Sequence, residues 1–186
     1  LLVSCSLMHP KSVRNANLLN EKEITTITQL IGKEKIAKDV YENFYQQYKN
    51  NLFGNIAKRK QKHIDIWKNI LAKQNISVDE NDAVAETENL KNQFISEGIN
   101  EISALKTALK IEELNLNDIY TVRRNSSKSA IREAANGVEC GIKNHLFVIY
   151  RALKEKHENY THQYISGKKF NNIVNGAVTS CGLQYD

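Results

Sequence analysis

The sequence predicts an all-α fold, in which a single domain forms a bundle of four long helices. Three observations support this prediction: a length of 186 residues, one proline at Pro10, and apolar residues that recur at spacings of three and four. A chain of this length buries most of the apolar surface that its unfolded form exposes. Because no proline follows Pro10, long helices can form throughout the rest of the sequence.

The segment before the first helix resembles the end of a bacterial lipoprotein signal peptide. Leu2-Val3-Ser4-Cys5 has the form of a lipobox, in which small residues precede a cysteine that becomes lipid-modified. Residues 1–20 would then be a signal remnant and a polar tether, with the chain anchored through Cys5 to a membrane of the bacterial cell envelope. The alternative is a short apolar stretch that ends in cysteine by chance. In an oxidising compartment, Cys140 and Cys181 could pair.

Helical periodicity defines four long segments and two short ones. One apolar stripe runs from Ile24 to Tyr48, and the next runs from Phe53 to Leu71. The later long segments carry similar stripes. In chain order, the predicted helices are residues 23–49, 52–73, 88–96, 101–122, 128–156 and 168–178.

Turn and capping residues separate these helices. Asn50-Asn51 divides the first two, Gly98 stops the short helix, and Asn125-Ser126-Ser127 offers an N-cap to the last long helix. The polar residues 74–87 and the short helix are together long enough for a crossover connection. A crossover favours a ferritin-like topology over an up-and-down bundle.

The domain boundaries follow from these elements. We expect the helical domain to cover residues 21–178, with a C-terminal tail at residues 179–186. The domain includes a short extra helix in the crossover and a short C-terminal helix.

The net charge is +5, with a sequence pI of about 9.0. A basic protein can bind nucleic acid, but such binding needs a basic stripe or face. The densest cluster, Lys58-Arg59-Lys60-Gln61-Lys62, spirals around its helix, so we expect no nucleic-acid partner. Association of the chain into a homo-oligomer remains open.

Charged and imidazole side chains interrupt the apolar stripes, and a buried charge is costly without a partner. Glu34 follows Leu30 by four residues, and His63 precedes Trp67 by four, so both point inward. The other inward candidates are Glu112 with its neighbour Glu113, and His145. Each long helix therefore directs a carboxylate or an imidazole towards one interior.

Carboxylates and imidazoles from facing helices hold pairs of iron or manganese ions in helical bundles. The full pattern includes Glu-x-x-His on two helices, and this chain departs from it. Lys60 stands three residues before His63, and Ile142 stands three before His145. The remaining carboxylates and histidines suit one divalent metal better than two, and the Lys60 ammonium could stand where a metal would bind.

These residues also carry a resemblance to a known family. The chain resembles an uncharacterised prokaryotic ferritin-like domain family, a domain of unknown function related to the rubrerythrins. The resemblance covers about residues 30–174. The motifs that carry it are Glu34-Lys35-Ile36-Ala37-Lys38-Asp39-Val40-Tyr41, Asn55-Ile56-Ala57, Gln61-Lys62-His63-Ile64-Asp65, Ala108-Leu109-Lys110-Ile111-Glu112-Glu113-Leu114-Asn115-Leu116, Asn144-His145-Leu146, Tyr164-Ile165-Ser166 and Phe170-Asn171-Asn172-Ile173.

The resemblance implies a ferritin-like four-helix bundle. In it, Glu34 matches the ligand of the first helix, and His63 matches the histidine of the second-helix Glu-x-x-His. The chain departs from the family by losing acidic groups, at Gly32-Lys33, at Lys60 and at Asn115.

Two functions are compatible with this pattern, and they leave open whether the chain is an enzyme. In the first, Glu34, His63, His145 and Glu112 or Glu113 bind iron or manganese for redox chemistry on oxygen, peroxide or iron, with Tyr41 close by. In the second, the chain has no cofactor. Lys60 then replaces the metal, and a non-enzymatic, surface-anchored bundle binds a partner through its exterior.

Overall fold

The computed structural model describes residues 18–81, 83 and 88–181. These residues form helices and no strands, which confirms the predicted all-α class. The predicted lipid-modification residue Cys5 and most of the predicted tether lie outside the described residues. The helices are α1 (Glu21–Tyr48), α2 (Asn51–Ala72), α3 (Glu88–Glu97), α4 (Glu101–Asn125), α5 (Ser129–Glu155) and α6 (Gly167–Val174).

Local capping fixes most of the helix ends. Asn20 and Glu23 form a capping box at the start of α1, and Lys49 ends this helix with a positive φ of 54°. Asn50 then caps α2 by accepting a hydrogen bond from the Leu52 amide at 2.9 Å. The predicted N-cap of α5 was wrong, because the N-cap residue is Lys128, which makes no side-chain cap hydrogen bond.

The four long helices pack as two pairs around one apolar core. The pairs are α1 with α2 and α4 with α5, and they meet where α1 contacts α4 and α2 contacts α5. The largest side chains at the centre are fully buried, and they include Trp67, Tyr41, Phe44 and Phe53. This arrangement turns the inward face of each long helix towards the other three.

The link between α2 and α3 lies against α1 at a glycine. A Cβ atom on Gly32 would lie 2.2 Å from the Ala83 carbonyl oxygen, a distance that no side chain can adopt. The absence of a side chain at Gly32 therefore lets the link cross α1 closely. The helix α3 then contacts both α1 and α4.

The residues after α5 return along that helix and are attached to it. Cys140 and Cys181 form a disulfide with a Cα–Cα distance of 5.5 Å. The Asn144 side chain donates to the Thr179 carbonyl at 2.8 Å and accepts from the Thr179 amide at 3.0 Å. Residues 179–181, which we expected in a separate tail, are thus held against α5.

No helix among the described residues is both long enough and apolar enough to cross a membrane.

Candidate functional site

Each long helix contributes one of the predicted inward groups to a common interior. Glu34 lies on α1, His63 on α2, Glu112 on α4 and His145 on α5. All four are buried, with exposed fractions of 2%, 4%, 0% and 2% in that order. The helix spacing that placed them on apolar stripes is the reason that they face one another.

Lys60 lies between the two carboxylates. Its ammonium nitrogen donates a hydrogen bond to Glu112 Oε2 at 3.0 Å and is 3.1 Å from Glu34 Oε2. The Lys60 side chain has no exposed surface. The ammonium is therefore the positive charge that both buried carboxylates share. We call this group of five side chains the charged centre: Glu34, Lys60, His63, Glu112 and His145.

The two imidazoles flank this ion pair, one beside each carboxylate. His145 Nδ1 lies 3.3 Å from Glu112 Oε2, and His63 Nδ1 lies 3.4 Å from Glu34 Oε1. The rings stack with their centroids 5.7 Å apart. An ionised carboxylate can only accept a hydrogen bond, so a neutral His145 donates to Glu112 from Nδ1 and keeps Nε2 as an acceptor.

Tyr41 completes the surroundings of Glu112. Its hydroxyl donates a hydrogen bond to Glu112 Oε1 at 2.7 Å and lies 3.2 Å from the Ala108 carbonyl oxygen. Glu112 thus has Tyr41 on one oxygen, with Lys60 and His145 on the other. Glu34 has fewer partners, since its Oε2 atom makes no hydrogen bond within the described residues.

The pKa values show which charges the site stabilises. Burial alone would raise the pKa of Glu112, but Lys60, His145 and Tyr41 outweigh it and lower that pKa to about 2. The pKa of Glu34 is also lowered, because Lys60 and His63 together overcome the effect of its burial. Burial alone would lower the pKa of Lys60, yet the carboxylates of Glu112 and Glu34 raise it.

Burial dominates for two further groups. It lowers the pKa of His145 below 6.5, against the opposing effect of the Glu112 carboxylate. Burial and the Glu112 charge both raise the pKa of the Tyr41 hydroxyl well above 10.0. The site at neutral pH therefore holds two carboxylates, one ammonium, a neutral His145 and a neutral phenol.

This set of groups does not fit a divalent metal ion while Lys60 is protonated. The ammonium occupies the space between the carboxylates that a bridging ion would need, and it repels a dication directly. Within the part of the chain that the structure describes, no three His, Cys, Asp or Glu side chains are arranged to hold a metal. Binding would require Lys60 to lose its proton or to leave the centre.

Glu113 lies apart from the charged centre, although it was predicted as an alternative to Glu112. Its Oε2 atom accepts hydrogen bonds from the backbone amides of Gln163, Tyr164 and Ile165, at 2.8, 2.7 and 3.1 Å. Adjacent residues on a helix point about 100° apart, so the two carboxylates face different neighbours. Glu113 thereby anchors the turn that precedes α6.

Gly141 is a positioning residue that was not among the predicted site residues. A Cβ atom at this position would lie 2.5 Å from His63 Nε2, so only glycine leaves room for the imidazole. The sequence contains a signal for it, because Gly141 lies four residues before His145 on the inward face of a helix. A glycine inside a helix lowers its stability by about 1 kcal/mol, which points to a packing requirement.

Comparisons with known proteins agree with this architecture. A family model described as Uncharacterized protein domain (DUF2202) matches residues 23–177. The chain is 30% identical over 166 residues to Uncharacterized protein MJ0754 of Methanocaldococcus jannaschii, covering 86% of this chain and 90% of that protein. It is also similar to the crystal structure of hypothetical protein MJ0754 from Methanococcus jannaschii, with a TM-score of 0.81 and 29% identity. That similarity covers 87% of this chain and 96% of the other.

Proposed function

The chain belongs to the family of the Uncharacterized protein domain (DUF2202), and from this premise we propose that it is a non-enzymatic, ferritin-like helical bundle of the bacterial cell envelope. In this proposal Lys60 permanently takes the place of a metal, and the protein acts by binding a partner through its exterior. The observation that carries the proposal is the position of the Lys60 ammonium, within 3.1 Å of both buried carboxylates.

The charges of the site support a closed ion network. Breaking a buried ion pair by removing one partner costs about 3–5 kcal/mol, because the other charge is left without compensation. Lys60 compensates two carboxylates at once, so its departure would leave both without a positive charge unless another cation replaced it. Its raised pKa means that the ammonium, and not the neutral amine, is the form present at neutral pH.

The ferritin-like part of the proposal is supported by where the four inward groups come from. Carboxylates on α1 and α4 face imidazoles on α2 and α5, the donor types that such bundles direct at a metal pair. The link and α3 connect the two helix pairs, as a crossover connection would.

The location in the cell envelope is supported by the disulfide. Disulfides persist in oxidising compartments and are rare in the cytosol. The Cys140–Cys181 pair therefore favours export, in agreement with a lipid anchor on Cys5.

A single iron or manganese ion in place of Lys60 is the second candidate. Three buried atoms of the site make no hydrogen bond within the described residues, and they favour it. They are His145 Nε2, Glu34 Oε2, which has an ionic contact with Lys60 at 3.1 Å, and His63 Nδ1, which lies 3.4 Å from Glu34 Oε1. In this case the two carboxylates and two imidazoles would hold the ion once Lys60 had moved away. An iron or manganese ion supplies redox chemistry on oxygen or peroxide, and Tyr41 would lie beside it.

Metal analysis of three purified proteins separates the two candidates. Cells grown with added iron and manganese would supply the wild type, Lys60→Glu, and Lys62→Glu as the control. Lys62 is an exposed lysine on the same helix, so the control makes the same charge change away from the site. We expect far less than one metal per chain in the wild type and in Lys62→Glu, and bound metal in Lys60→Glu.

Stoichiometric metal in the wild type would contradict the proposed function and support the mononuclear site. If Lys60→Glu is folded by circular dichroism but gains no metal, the relation to ferritin-like metal sites fails.

A further inference from the structure

The positive charge of the chain is concentrated in its C-terminal third. Residues 119–181 contain ten of the 26 Lys and Arg residues but only four of the 21 Asp and Glu residues. Their net charge of +6 exceeds the +5 of the whole chain, so the remaining residues have a net charge of −1. The total charge does not show this asymmetry, and an excess of positive charge attracts anionic partners.

Cations from three helices converge around Tyr120 in this part of the molecule. The Arg123 guanidinium on α4 lies 5.6 Å from the centre of the Tyr120 ring, and the Lys169 ammonium on α6 lies 4.3 Å from it. Lys143 on α5 joins them through an acid that it shares with Arg123. We call Arg123, Lys143 and Lys169 the basic face, and the exposed Lys168 directly precedes Lys169 on α6.

A single carboxylate balances part of this charge. Glu139 is 6% exposed, and it lies 2.5 Å from Arg123 Nη1 and 2.5 Å from Lys143 Nζ. These two cations remain 38% and 40% exposed at their side chains. No carboxylate among the described residues lies within 4.0 Å of the Lys169 ammonium, so the basic face keeps an excess of positive charge towards solvent.

Exposed apolar side chains flank the lysines of α6. Tyr164 comes shortly before this helix and Val178 shortly after it, and they are 41% and 56% exposed. The segment that carries them is held in place by Glu113 and by the Cys140–Cys181 disulfide. Exposed cations on the same fixed segment as an exposed aromatic and an exposed aliphatic side chain suit an interface between water and lipid.

We propose that the basic face docks on the anionic phospholipid headgroups of a membrane surface. Clustered lysines and arginines are attracted to anionic headgroups. Exposed tyrosine and valine side chains are stabilised when they enter the headgroup region. The disulfide favours this partner over nucleic acid, because it favours a compartment outside the cytosol. This docking rests on the proposed location in the cell envelope, but the basic face lies on the exterior and acts whether or not the charged centre binds a metal.

The test uses co-sedimentation with vesicles. The full chain carries Cys5→Ser, which prevents the proposed lipid attachment, so binding then reports on the folded domain. We expect binding to vesicles that contain phosphatidylglycerol, loss of binding at high salt, and no binding to pure phosphatidylcholine. Reversing two charges with Lys168→Glu/Lys169→Glu should weaken binding about tenfold or more.

The control is Lys58→Glu/Lys62→Glu, which reverses two exposed charges on α2 and should bind like the parent. Equal binding by both double variants would overturn the proposal, as would equal binding to both kinds of vesicle. Tighter binding to duplex DNA, or full displacement from vesicles by inorganic phosphate, would also overturn it. If the charge reversal disturbs folding, Lys168→Gln/Lys169→Gln replaces it and should weaken binding in the same direction.

Discussion

At the scale of single residues, the position of His63 depends on the absence of a side chain on the facing helix. His63 lies against α5 at Gly141, where its Nε2 atom occupies the space that a Cβ would need. The same ring faces Glu34 through Nδ1 and stacks on His145. Because the ring is buried against Gly141, Glu34 and His145, moving it would disturb a close-packed core.

We predict that Gly141→Ala destabilises the protein by about 1–3 kcal/mol, because the added methyl group forces His63 from its place. Urea unfolding followed by circular dichroism would measure this change. Gly54→Ala is the control, since its Cβ would lie 3.2 Å from the ring of the half-buried Tyr45. At position 54, the higher helix propensity of alanine should offset most of the free-energy cost of this close contact. A Gly141→Ala variant as stable as the wild type would show that His63 has room to move.

At the scale of elements, the segment after α5 is attached to the rest of the protein mainly by side chains. Glu113 on α4 accepts hydrogen bonds from three backbone amides of this segment. The Asn144 side chain on α5 both donates a hydrogen bond to the Thr179 backbone and accepts one from it. The aromatic ring of Phe170 packs against Tyr150 and Tyr160. The disulfide closes this segment across 41 residues of sequence.

We predict that Cys181→Ser lowers the free energy of unfolding by about 2–4 kcal/mol under oxidising conditions, because it frees a loop of this length in the unfolded chain. Urea unfolding would measure the loss, and hydrogen exchange should show faster exchange at the Thr179 amide. Adding a reductant should lower the free energy of unfolding of the wild type to near that of the variant, and it should leave the value for the variant unchanged. A wild type that is insensitive to reductant would contradict a stabilising role for the disulfide.

At the scale of the whole molecule, the charged centre makes the free energy of unfolding decrease at both low and high pH. Because the pKa values of Glu34 and Glu112 are lowered, these carboxylates stabilise the folded protein fully above about pH 4.5. This stabilisation is lost as the pH falls towards about 2. The pKa of His145 is lowered from 6.5, so protonation favours the unfolded chain as the pH falls below that value. Lys60 has a raised pKa, so its contribution to the stability of the folded protein is present below pH 10.5 and is lost as the pH rises above that value.

We predict that stability is greatest between about pH 7 and pH 10 and begins to fall near pH 6.5, with a steeper loss below about pH 4.5. Glu112, whose pKa is lowered to about 2, loses its ion pair with Lys60 over this acid range. Urea unfolding across the pH range would measure the curve. Glu158→Gln is the control, because it removes a half-exposed carboxylate from the Lys106 pair, away from the charged centre, and should leave the shape of the curve intact. Constant stability from pH 7 to pH 3 would contradict a charged core.

The sequence by itself determined the helices and which side chains point inward. Helical hydrogen bonds and caps join residues at most four apart, so apolar spacing and residues such as Asn50 and Gly98 carry that information locally. It correctly placed Lys60 on the inward line of α2, together with His63. Its local signal was weakest at the start of α5, where Lys128 has no side-chain cap.

Only the tertiary structure decided which of these inward groups meet. Lys60 and Glu112 are 52 residues apart in sequence, and no local rule gives the 3.0 Å between them. The neighbours Glu112 and Glu113 were equal candidates in the sequence, yet one faces Lys60 and the other faces the backbone before α6. The physical reason is that helical spacing fixes the direction of a side chain relative to its own helix. The packing of the four helices fixes what lies in that direction.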